Sequence, residues 1–259
     1  MKIRFYKYQG TGNDFIMVDN RQLAFPKKNT SLISRLCDRR FGIGADGLIL
    51  LESDETSDFK MVYYNSDGGE STMCGNGGRC ITAFAHQLGI IGPRTRFTAI
   101  DGPHDAAIDG RIVSLRMKDV DEVKTGDGYF FADTGSPHHI VMVDDCSTVD
   151  VKSQGSKIRY GALYGSPGSN VNFVTPVDTD RFKVRTYERG VEDETLSCGT
   201  GVTAVALAMH RAGKIFSNRV VLEVEGGELS VSFTPTEKGF TDVYLTGPAD
   251  FVFEGTIEA

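Results

Sequence analysis

Two cysteines of the chain stand at the head of the same short motif. Cys74 begins a Cys-Gly-Asn-Gly run, and Cys198 begins a Cys-Gly-Thr-Gly run. Each cysteine lies at the predicted start of a buried helix, where the first backbone N–H groups have no partner within the helix and the helix dipole adds partial positive charge. Both effects favour a thiolate, and the adjacent glycine lets an anion approach the same N–H groups. Each motif is therefore a candidate site for a reactive thiol beside a bound carboxylate.

The two motifs belong to an internal repeat. A shift of 124 residues (198 − 74) carries Cys74 onto Cys198. The same shift pairs four glycines and one histidine of the two halves, namely Gly75 with Gly199, Gly77 with Gly201, Gly89 with Gly213, Gly102 with Gly226, and His86 with His210. Self-similarity at one fixed shift indicates the duplication of a supersecondary unit. A duplication that keeps the cysteine suggests two thiols facing a cleft shared by the halves.

Two thiols on opposite sides of one carbon atom can act as an acid/base pair. A thiolate removes a proton from one side while a thiol returns a proton from the other, which inverts the stereocentre without a metal or an organic cofactor. The alternative is nucleophilic attack by one cysteine with a histidine partner, for which His138 and His139 are candidates. That chemistry would leave the second motif unexplained. A third possibility is that both cysteines are inert, small buried side chains.

The elements that must position the motifs follow from the hydrophobic pattern. Residues 80–88 and 202–209 are rich in small and apolar side chains, and each run is followed by a glycine, which predicts two buried helices. Residues 31–40 predict a third helix, with Ser31 as its cap. Residues 3–19 predict a strand, a glycine-rich turn and a second strand. Each half thus carries a strand, a polar turn, the cysteine motif, a helix and further strands.

Composition excludes several classes of partner. The chain has 28 Lys and Arg against 35 Asp and Glu, a formal net charge of −7, so it lacks the basic excess that nucleic acids and anionic membranes attract. No run approaches the roughly 18–20 apolar residues of a membrane helix, and the charged N-terminus lacks the apolar run of a signal peptide. The chain has five cysteines, an odd number, which predicts thiols and not a disulfide framework. They include no Cys-x2-Cys pair, which argues against a structural zinc site. We expect a cytoplasmic protein that binds neither nucleic acid nor membrane.

Eight short runs follow one another along the chain. They are GTGNDF from Gly10, GIGAD from Gly42, NSDG from Asn65, MCGNGGRC from Met73, PH from Pro137, NVNF from Asn170, YERG from Tyr187 and SCGTG from Ser197. In this order and spacing they resemble the diaminopimelate epimerase family, and the match covers essentially the whole chain. The resemblance implies an isomerase that needs neither PLP nor any other cofactor, and no metal. It implies interconversion of LL- and meso-diaminopimelate, in lysine and peptidoglycan precursor biosynthesis, by a homodimer.

The resemblance also assigns roles to individual residues. It implies that Cys74 and Cys198 are the catalytic pair, with His138 and Glu188 as auxiliary polar groups near the thiols. Side chains that match substrate-binding positions are Asn13, Asn65, Asn76, Asn170, Glu188 and Arg189. Backbone donors to the reacting carboxylate match Gly75, Gly199 and Thr200.

The fold implied by the resemblance is α/β, of the α+β type. It consists of two pseudo-symmetric lobes from the duplication, each a curled, mostly antiparallel sheet around a central helix. We place the N-terminal lobe at residues 1–118, with a strand at about 250–259 returning to it. The C-terminal lobe takes residues 119–249.

The predicted roles agree with the chemistry of the residues. Diaminopimelate has two amino-acid ends, so one end must be held while the other reacts. The Arg189 guanidinium can hold the distal carboxylate through two parallel hydrogen bonds, and Glu188 can accept from an ammonium group. Asparagine side chains offer both donors and acceptors. Two positions depart from the family pattern: Ser136 stands where many members have Asn, which keeps only part of that polar contact, and Gly47 stands where some have Gln.

Two other functions remain open at this level. A proline or hydroxyproline racemase would use the same pair of thiols, but a small cyclic amino acid has no distal carboxylate for Arg189 to hold. An amino-acid-binding module would use the helix starts to capture a carboxylate, with inert cysteines.

Overall fold

A computed structural model describes residues 1–258 of the chain. These residues form two compact units. The first comprises Met1–Leu115 and the segment that begins at Gly247, and the second comprises Arg116–Thr246. Within residues 1–258, no helix has the length and apolar character needed to cross a membrane.

Strands and helices are numbered in chain order. The first unit contains the strands β1 (Lys2–Gly10), β2 (Asn13–Asp19), β3 (Gly47–Glu52), β4 (Phe59–Asn65), β5 (Glu70–Ser71), β6 (Arg94–Ala99), β7 (Gly102–Asp109), β8 (Ile112–Arg116) and β18 (Asp250–Glu258), and the helices α1 (Thr30–Cys37) and α2 (Gly75–Gln87).

The second unit repeats this composition. It contains the strands β9 (Val123–Thr125), β10 (Phe130–Asp133), β11 (Pro137–Met142), β12 (Asn170–Asp178), β13 (Arg181–Glu188), β14 (Asp193–Thr195), β15 (Arg219–Val224), β16 (Gly227–Pro235) and β17 (Phe240–Pro248), the helices α3 (Val151–Arg159) and α4 (Gly199–Arg211), and a 3-10 turn at Cys146–Thr148.

Neighbouring strands pair with the same order of orientations in both units. In the first, β1/β2 is antiparallel, β2/β3 parallel, β3/β4 antiparallel, β4/β6 parallel, and β6/β7 and β7/β8 antiparallel. In the second, β10/β11 is antiparallel, β11/β12 parallel, β12/β13 antiparallel, β13/β15 parallel, and β15/β16 and β16/β17 antiparallel. This repeated order confirms the predicted duplication and the mostly antiparallel sheets.

A buried helix lies in each unit, α2 in the first and α4 in the second. Every residue of α2 from Gly75 to Ala85 is buried, and so is nearly all of α4. A helix that is buried on all its faces belongs to the core of its unit. Each helix is followed by a glycine in the left-handed region, Gly89 with φ 68° and Gly213 with φ 65°, as the sequence predicts. Both helices begin directly after the cysteine, earlier than residues 80 and 202, because their glycine-rich first turns carry no apolar periodicity.

One local prediction was wrong, and one helix was not predicted. Helix α1 is capped by Asn29, whose side chain accepts the N–H of Leu32 over 3.1 Å, and not by Ser31. Helix α3 was not predicted, because Gly155 in its middle disfavours a helix. Packing explains that glycine, since a Cβ atom there would lie only 2.4 Å from the Cβ atom of Tyr187.

Candidate active site

Cys74 is the cap of α2. Its backbone is extended, and its sulfur accepts the N–H of Gly77 over 3.1 Å. A Cβ atom at Gly77 would lie 3.1 Å from that sulfur and 3.1 Å from Cδ1 of Ile49, so glycine permits the close approach. A backbone N–H donated to sulfur stabilises the thiolate form. The first turn of α2 therefore supplies the environment that the sequence predicts for a reactive thiol.

Two of the predicted substrate-binding amides lie beside this helix start. Nδ2 of Asn76 donates to Oδ1 of Asn13 over 3.2 Å, and Nδ2 of Asn13 donates to Oδ2 of Asp46 over 2.6 Å. A carboxylate can only accept, so Asp46 fixes which way the Asn13 amide points, and Asn13 in turn fixes Asn76. Both amides are oriented by the protein itself.

Asp46 belongs to a cluster of charges. Nη2 of Arg39 lies 2.6 Å from Asp14 and 2.8 Å from Asp46. The Lys7 ammonium lies 2.7 Å from Asp14 and also donates to the Gly44 carbonyl. Burial raises the pKa of Asp14, but hydrogen bonds and attraction from Arg39 and Lys7 outweigh it and hold that pKa at about 2. The cluster is therefore charged at neutral pH.

Asn65 ends β4 and enters a tight turn, in which its N–H bonds the Gly69 carbonyl over 2.9 Å. On the neighbouring strand its register partner is Gly47. A Cβ atom at Gly47 would lie 2.5 Å from the ring of Tyr63, so this ring occupies the space that a larger residue would need. The Gly47 departure is thus matched by Tyr63, a residue that the sequence analysis did not single out.

Cys198 is the cap of α4, and its surroundings differ from those of Cys74. Its side chain is 7% exposed and makes no capping hydrogen bond. Oγ1 of Thr200 lies 3.5 Å from its sulfur.

A chain of neutral groups leads from Thr200 into the core of the second unit. Nε2 of His138 lies 2.9 Å from the Thr200 hydroxyl, and Nδ1 of His138 lies 3.1 Å from Nδ2 of Asn172. The Asn172 oxygen accepts the Thr186 hydroxyl over 3.0 Å, so its amide nitrogen faces His138 as a donor. His138 consequently carries its proton on Nε2 and donates it to Thr200.

His138 stays neutral at physiological pH. Complete burial, and then the positive charge of Arg189, lower its pKa to about 3. With His138 as donor, Thr200 can turn its own hydroxyl hydrogen toward the Cys198 sulfur. His138 is therefore linked to the Cys198 sulfur indirectly, through the Thr200 hydroxyl.

Asn170 and Arg189 lie together at the neighbouring strand ends. The N–H of Arg189 donates to Oδ1 of Asn170 over 2.8 Å. Nδ2 of Asn170 donates to the Ser136 hydroxyl over 2.8 Å and to the Pro137 carbonyl over 3.0 Å. Ser136 therefore keeps a hydrogen bond to this site. Glu188, the last residue of β13, occupies the place in its unit that Asn65 occupies at the end of β4.

The other cysteines are structural. Cys37, Cys80 and Cys146 are all buried. Burial raises the pKa of Cys37 to about 12 and also raises the pKa of Cys80. The thiols of Cys37 and Cys80 therefore remain protonated near neutral pH. Over residues 1–258, His, Cys, Asp and Glu side chains do not group as a metal site would require.

Comparison with known proteins identifies the family. The family model for diaminopimelate epimerase matches residues 5–111 and 130–252. The chain belongs to the diaminopimelate epimerase family. A relative named diaminopimelate epimerase from Flavobacterium psychrophilum is 62% identical over 256 residues, covering 98% of this chain and 100% of the relative. One of the same name from Chlorobaculum tepidum is 45% identical, covering 96% and 98%.

Solved structures of other proteins share the fold. A PhzF-family phenazine biosynthesis protein from Bacillus anthracis aligns with a TM-score of 0.81 at 15% identity, covering 100% of both chains. A hydroxyproline epimerase from Agrobacterium vitis aligns with a TM-score of 0.69 at 15% identity, covering 99% of this chain and 92% of that one. At this identity the likeness extends to the fold alone. The predicted family and fold class are confirmed.

For this member of the diaminopimelate epimerase family, each unit gathers its own predicted residues. Around Cys74 lie Asn13, Gly75 and Asn76, and around Cys198 lie His138, Gly199 and Thr200. The sequence analysis missed the residues that orient them, which are Asp46, Tyr63, Arg79, Asn172 and Thr186. Asp46, Arg79 and Asn172 lie within the family runs, and Tyr63 and Thr186 lie within two residues of one. Their position in or near these runs was the available signal.

Proposed function

We propose that this protein is a PLP-independent isomerase that interconverts LL- and meso-diaminopimelate through a thiolate/thiol pair, Cys74 and Cys198. The observation that carries the proposal is the pair of helix starts, each capped by a cysteine, in a chain of the diaminopimelate epimerase family. The repeated strand order supports it, because a duplicated unit offers two equivalent bases for the two faces of one carbon.

The proposed reaction is a proton exchange without any change of oxidation state. One cysteine, as thiolate, takes the α-proton and becomes a thiol. The electron pair of the broken Cα–H bond stays on the α-carbon and delocalises into the carboxylate. The other cysteine, as thiol, gives its proton to the opposite face. Each turnover leaves the thiolate on the other sulfur. The N–H groups of Gly75, Gly199 and Thr200 would donate to the carboxylate as negative charge builds on it.

The remaining predicted residues would hold the substrate. Arg189 would bind the distal carboxylate, Glu188 would accept from an ammonium group, and asparagine amides would fix both ends; these are Asn13, Asn65, Asn76 and Asn170. His138 would act on Cys198 by way of Thr200. No cofactor or metal takes part in any of these steps.

The proposal extends to assembly, location and domains. We propose that the protein is cytoplasmic and that it forms a homodimer. The homodimer is supported by Phe251, Val252 and Phe253 of β18, which are 45%, 53% and 44% exposed, because exposed apolar side chains grouped in this way are typical of a protein interface. We propose that residues 1–118 with the strand at about 250–259, and residues 119–249, are the functional lobes.

The deciding experiment is isotope exchange. Purified protein is incubated with LL-diaminopimelate in heavy water, and deuterium at the α-carbon and the appearance of the meso form are followed. We expect one deuterium per inverted centre. Proline and hydroxyproline, treated in the same way, should take up none. Exchange on proline alone would favour the racemase, and binding without exchange, with slowly reacting thiols, would favour a binding module.

A further inference from the structure

Arg79 lies in the second turn of α2 and has no exposed surface. Its guanidinium donates to four acceptors, and all four are uncharged. They are the Pro248 carbonyl at 3.3 Å, the Gly75 carbonyl at 3.4 Å, the Thr11 hydroxyl at 3.3 Å and Oδ1 of Asn76 at 3.0 Å. A buried positive charge is costly unless an anion compensates it.

No carboxylate compensates Arg79 among the described residues 1–258. The titratable groups whose negative forms would attract it are Cys80, the next residue, and Cys74, which directly precedes the Gly75 whose carbonyl Arg79 contacts. Cys80 is fully buried and remains protonated, whereas Cys74 is half-buried and accepts the N–H of Gly77. The anion that can pair with Arg79 electrostatically is therefore the Cys74 thiolate.

The same guanidinium sets the direction of a hydrogen-bond chain. Arg79 donates to the oxygen of Asn76, Asn76 donates to Asn13, and Asn13 donates to Asp46. The chain runs from a cation to an anion, and every donor points the same way. Neither amide can rotate by 180° without losing a hydrogen bond at each end. Arg79 thus fixes the Asn76 amide from the side opposite to Asp46.

The duplicated half lacks this charge. The residue 124 positions after Arg79 is Thr203, whose hydroxyl donates to the Gly199 carbonyl over 2.8 Å within α4. A cation is therefore not needed to build a buried helix after a Cys-Gly motif.

We propose that Arg79 is a positioning residue for Cys74: it orients the Asn76 amide and supplies the positive charge that stabilises the Cys74 thiolate. This inference rests on the proposed function only where it assigns the thiolate a role in turnover. Other titratable groups that act on this part of α2 are Cys80 from α2 itself, Tyr8 from β1, Asp14 from β2 and Asp250 from β18. All of them stay unchanged in the experiment.

The test is the pH profile of Cys74 alkylation by iodoacetamide, in a Cys198→Ala background that removes the other predicted reactive thiol. Arg79→Gln keeps an amide that can donate to Asn76 and Thr11 but carries no charge. We expect its alkylation at pH 7 to fall about tenfold, the consequence of a midpoint about one pH unit higher. Arg94→Met, which removes an exposed arginine of β6 in the same unit, should leave the profile unchanged.

Folding stability separates this role from a structural one. Because Arg79 has no carboxylate partner and burying its charge is costly, Arg79→Gln should keep the parental Tm or raise it. A lowered Tm with the parental alkylation profile would overturn the proposal and leave Arg79 a structural contact. Alkylation needs no substrate, so this result stands even if the protein does not turn over diaminopimelate.

Arg79→Lys completes the test, and decides it alone if Arg79→Gln does not fold. Lysine keeps the charge but not the planar fork. Its alkylation profile should stay within about twofold of the parent, while the KM for diaminopimelate rises about tenfold because Asn76 is no longer held. A shifted alkylation profile in the lysine variant, or an unchanged KM, would contradict the proposal.

Discussion

The two cysteine-capped helix starts share a backbone but not a chemical environment. At α2, Cys74 accepts a backbone N–H, and a chain of hydrogen bonds runs nearby from the Arg79 cation to the Asp46 anion. At α4, Cys198 lies near the Thr200 hydroxyl, which a neutral His138 supports from a fully buried position. One site uses fixed charges and the other uses neutral donors.

The comparison shows which features the two units have in common. The strand order, the cysteine cap, the glycines and the closing left-handed turn recur in both units. The polar groups behind each cysteine do not recur, as Arg79 and Thr203 show. In the reaction proposed above, the two thiols would therefore exchange protons from different polar surroundings.

The largest expected effect comes from the cysteines themselves. Cys74→Ala and Cys198→Ala should each lower epimerisation by at least about 10²–10⁴-fold, because each removes one partner of the proton exchange. Each variant is assayed for inversion and for α-deuterium uptake in heavy water, with Cys146→Ala, which removes a buried thiol elsewhere, as the control. Full turnover by either active-site variant would refute the two-thiol mechanism.

Much of this comparison could be predicted from the sequence. The shift that carries Cys74 onto Cys198 indicated the duplication, and Gly89 and Gly213 marked the helix ends, because both signals are local and depend on residue type. The orienting groups were not predicted. In the sequence, Arg79 is one polar residue of a predicted helix. Only the three-dimensional packing shows that its side chain is buried and has no carboxylate as a partner.

The missed elements have similar causes. Gly155 breaks the helical pattern of α3 in the sequence, while contact with Tyr187 requires a glycine there. Tyr63 of β4 matters to the site because its ring lies against Gly47 on the adjacent strand β3. Such relations depend on strand register, which a single sequence does not reveal.

The second prediction addresses the neutral chain. Thr200→Val removes the hydroxyl that links His138 to Cys198. We expect kcat to fall about tenfold, because the Cys198 thiolate of the proposed reaction loses one hydrogen bond. Thr200→Ser restores the hydroxyl and should recover most of kcat. Alkylation of Cys74 in the valine variant serves as the internal reference. If the valine and serine variants turn over equally fast, the link between His138 and Cys198 plays no part.

The third prediction compares the paired glycines. A Cβ atom at Gly201 would lie 2.6 Å from Oδ1 of Asn172, which the Thr186 hydroxyl holds in place. At Gly77 the nearest atoms are at 3.1 Å and belong to side chains that can move. Gly201→Ala should destabilise the protein by about 1–3 kcal/mol. Gly77→Ala should cost less, since the gain in helix propensity, about 1 kcal/mol, offsets part of the crowding.

Urea denaturation of the two alanine variants, side by side with the parent, checks that order. Equal midpoints would show that the second site is no more tightly packed than the first. A larger loss for Gly77→Ala would reverse the comparison.

The smallest expected effect is a dependence of stability on mild acid, and it arises in the second unit. Burial lowers the pKa of His138 to about 3 and that of His139 to about 4, against about 6.5 in an unfolded chain. As the pH falls, the unfolded state binds protons first, so stability is lost from about pH 6.5 downward. Between pH 7 and pH 6 the two histidines together should cost on the order of 1 kcal/mol. Carboxylates such as Asp14, with a pKa of about 2, respond only at much lower pH, so this window isolates the histidines.

Urea midpoints at pH 7 and pH 6 should differ less in His138→Gln than in the parent, whereas His86→Gln, at an exposed position of α2, should keep the parental difference. An unchanged difference in His138→Gln would mean that folding does not lower the pKa of His138, and this result would contradict the neutral chain that leads from His138 through Thr200 to Cys198.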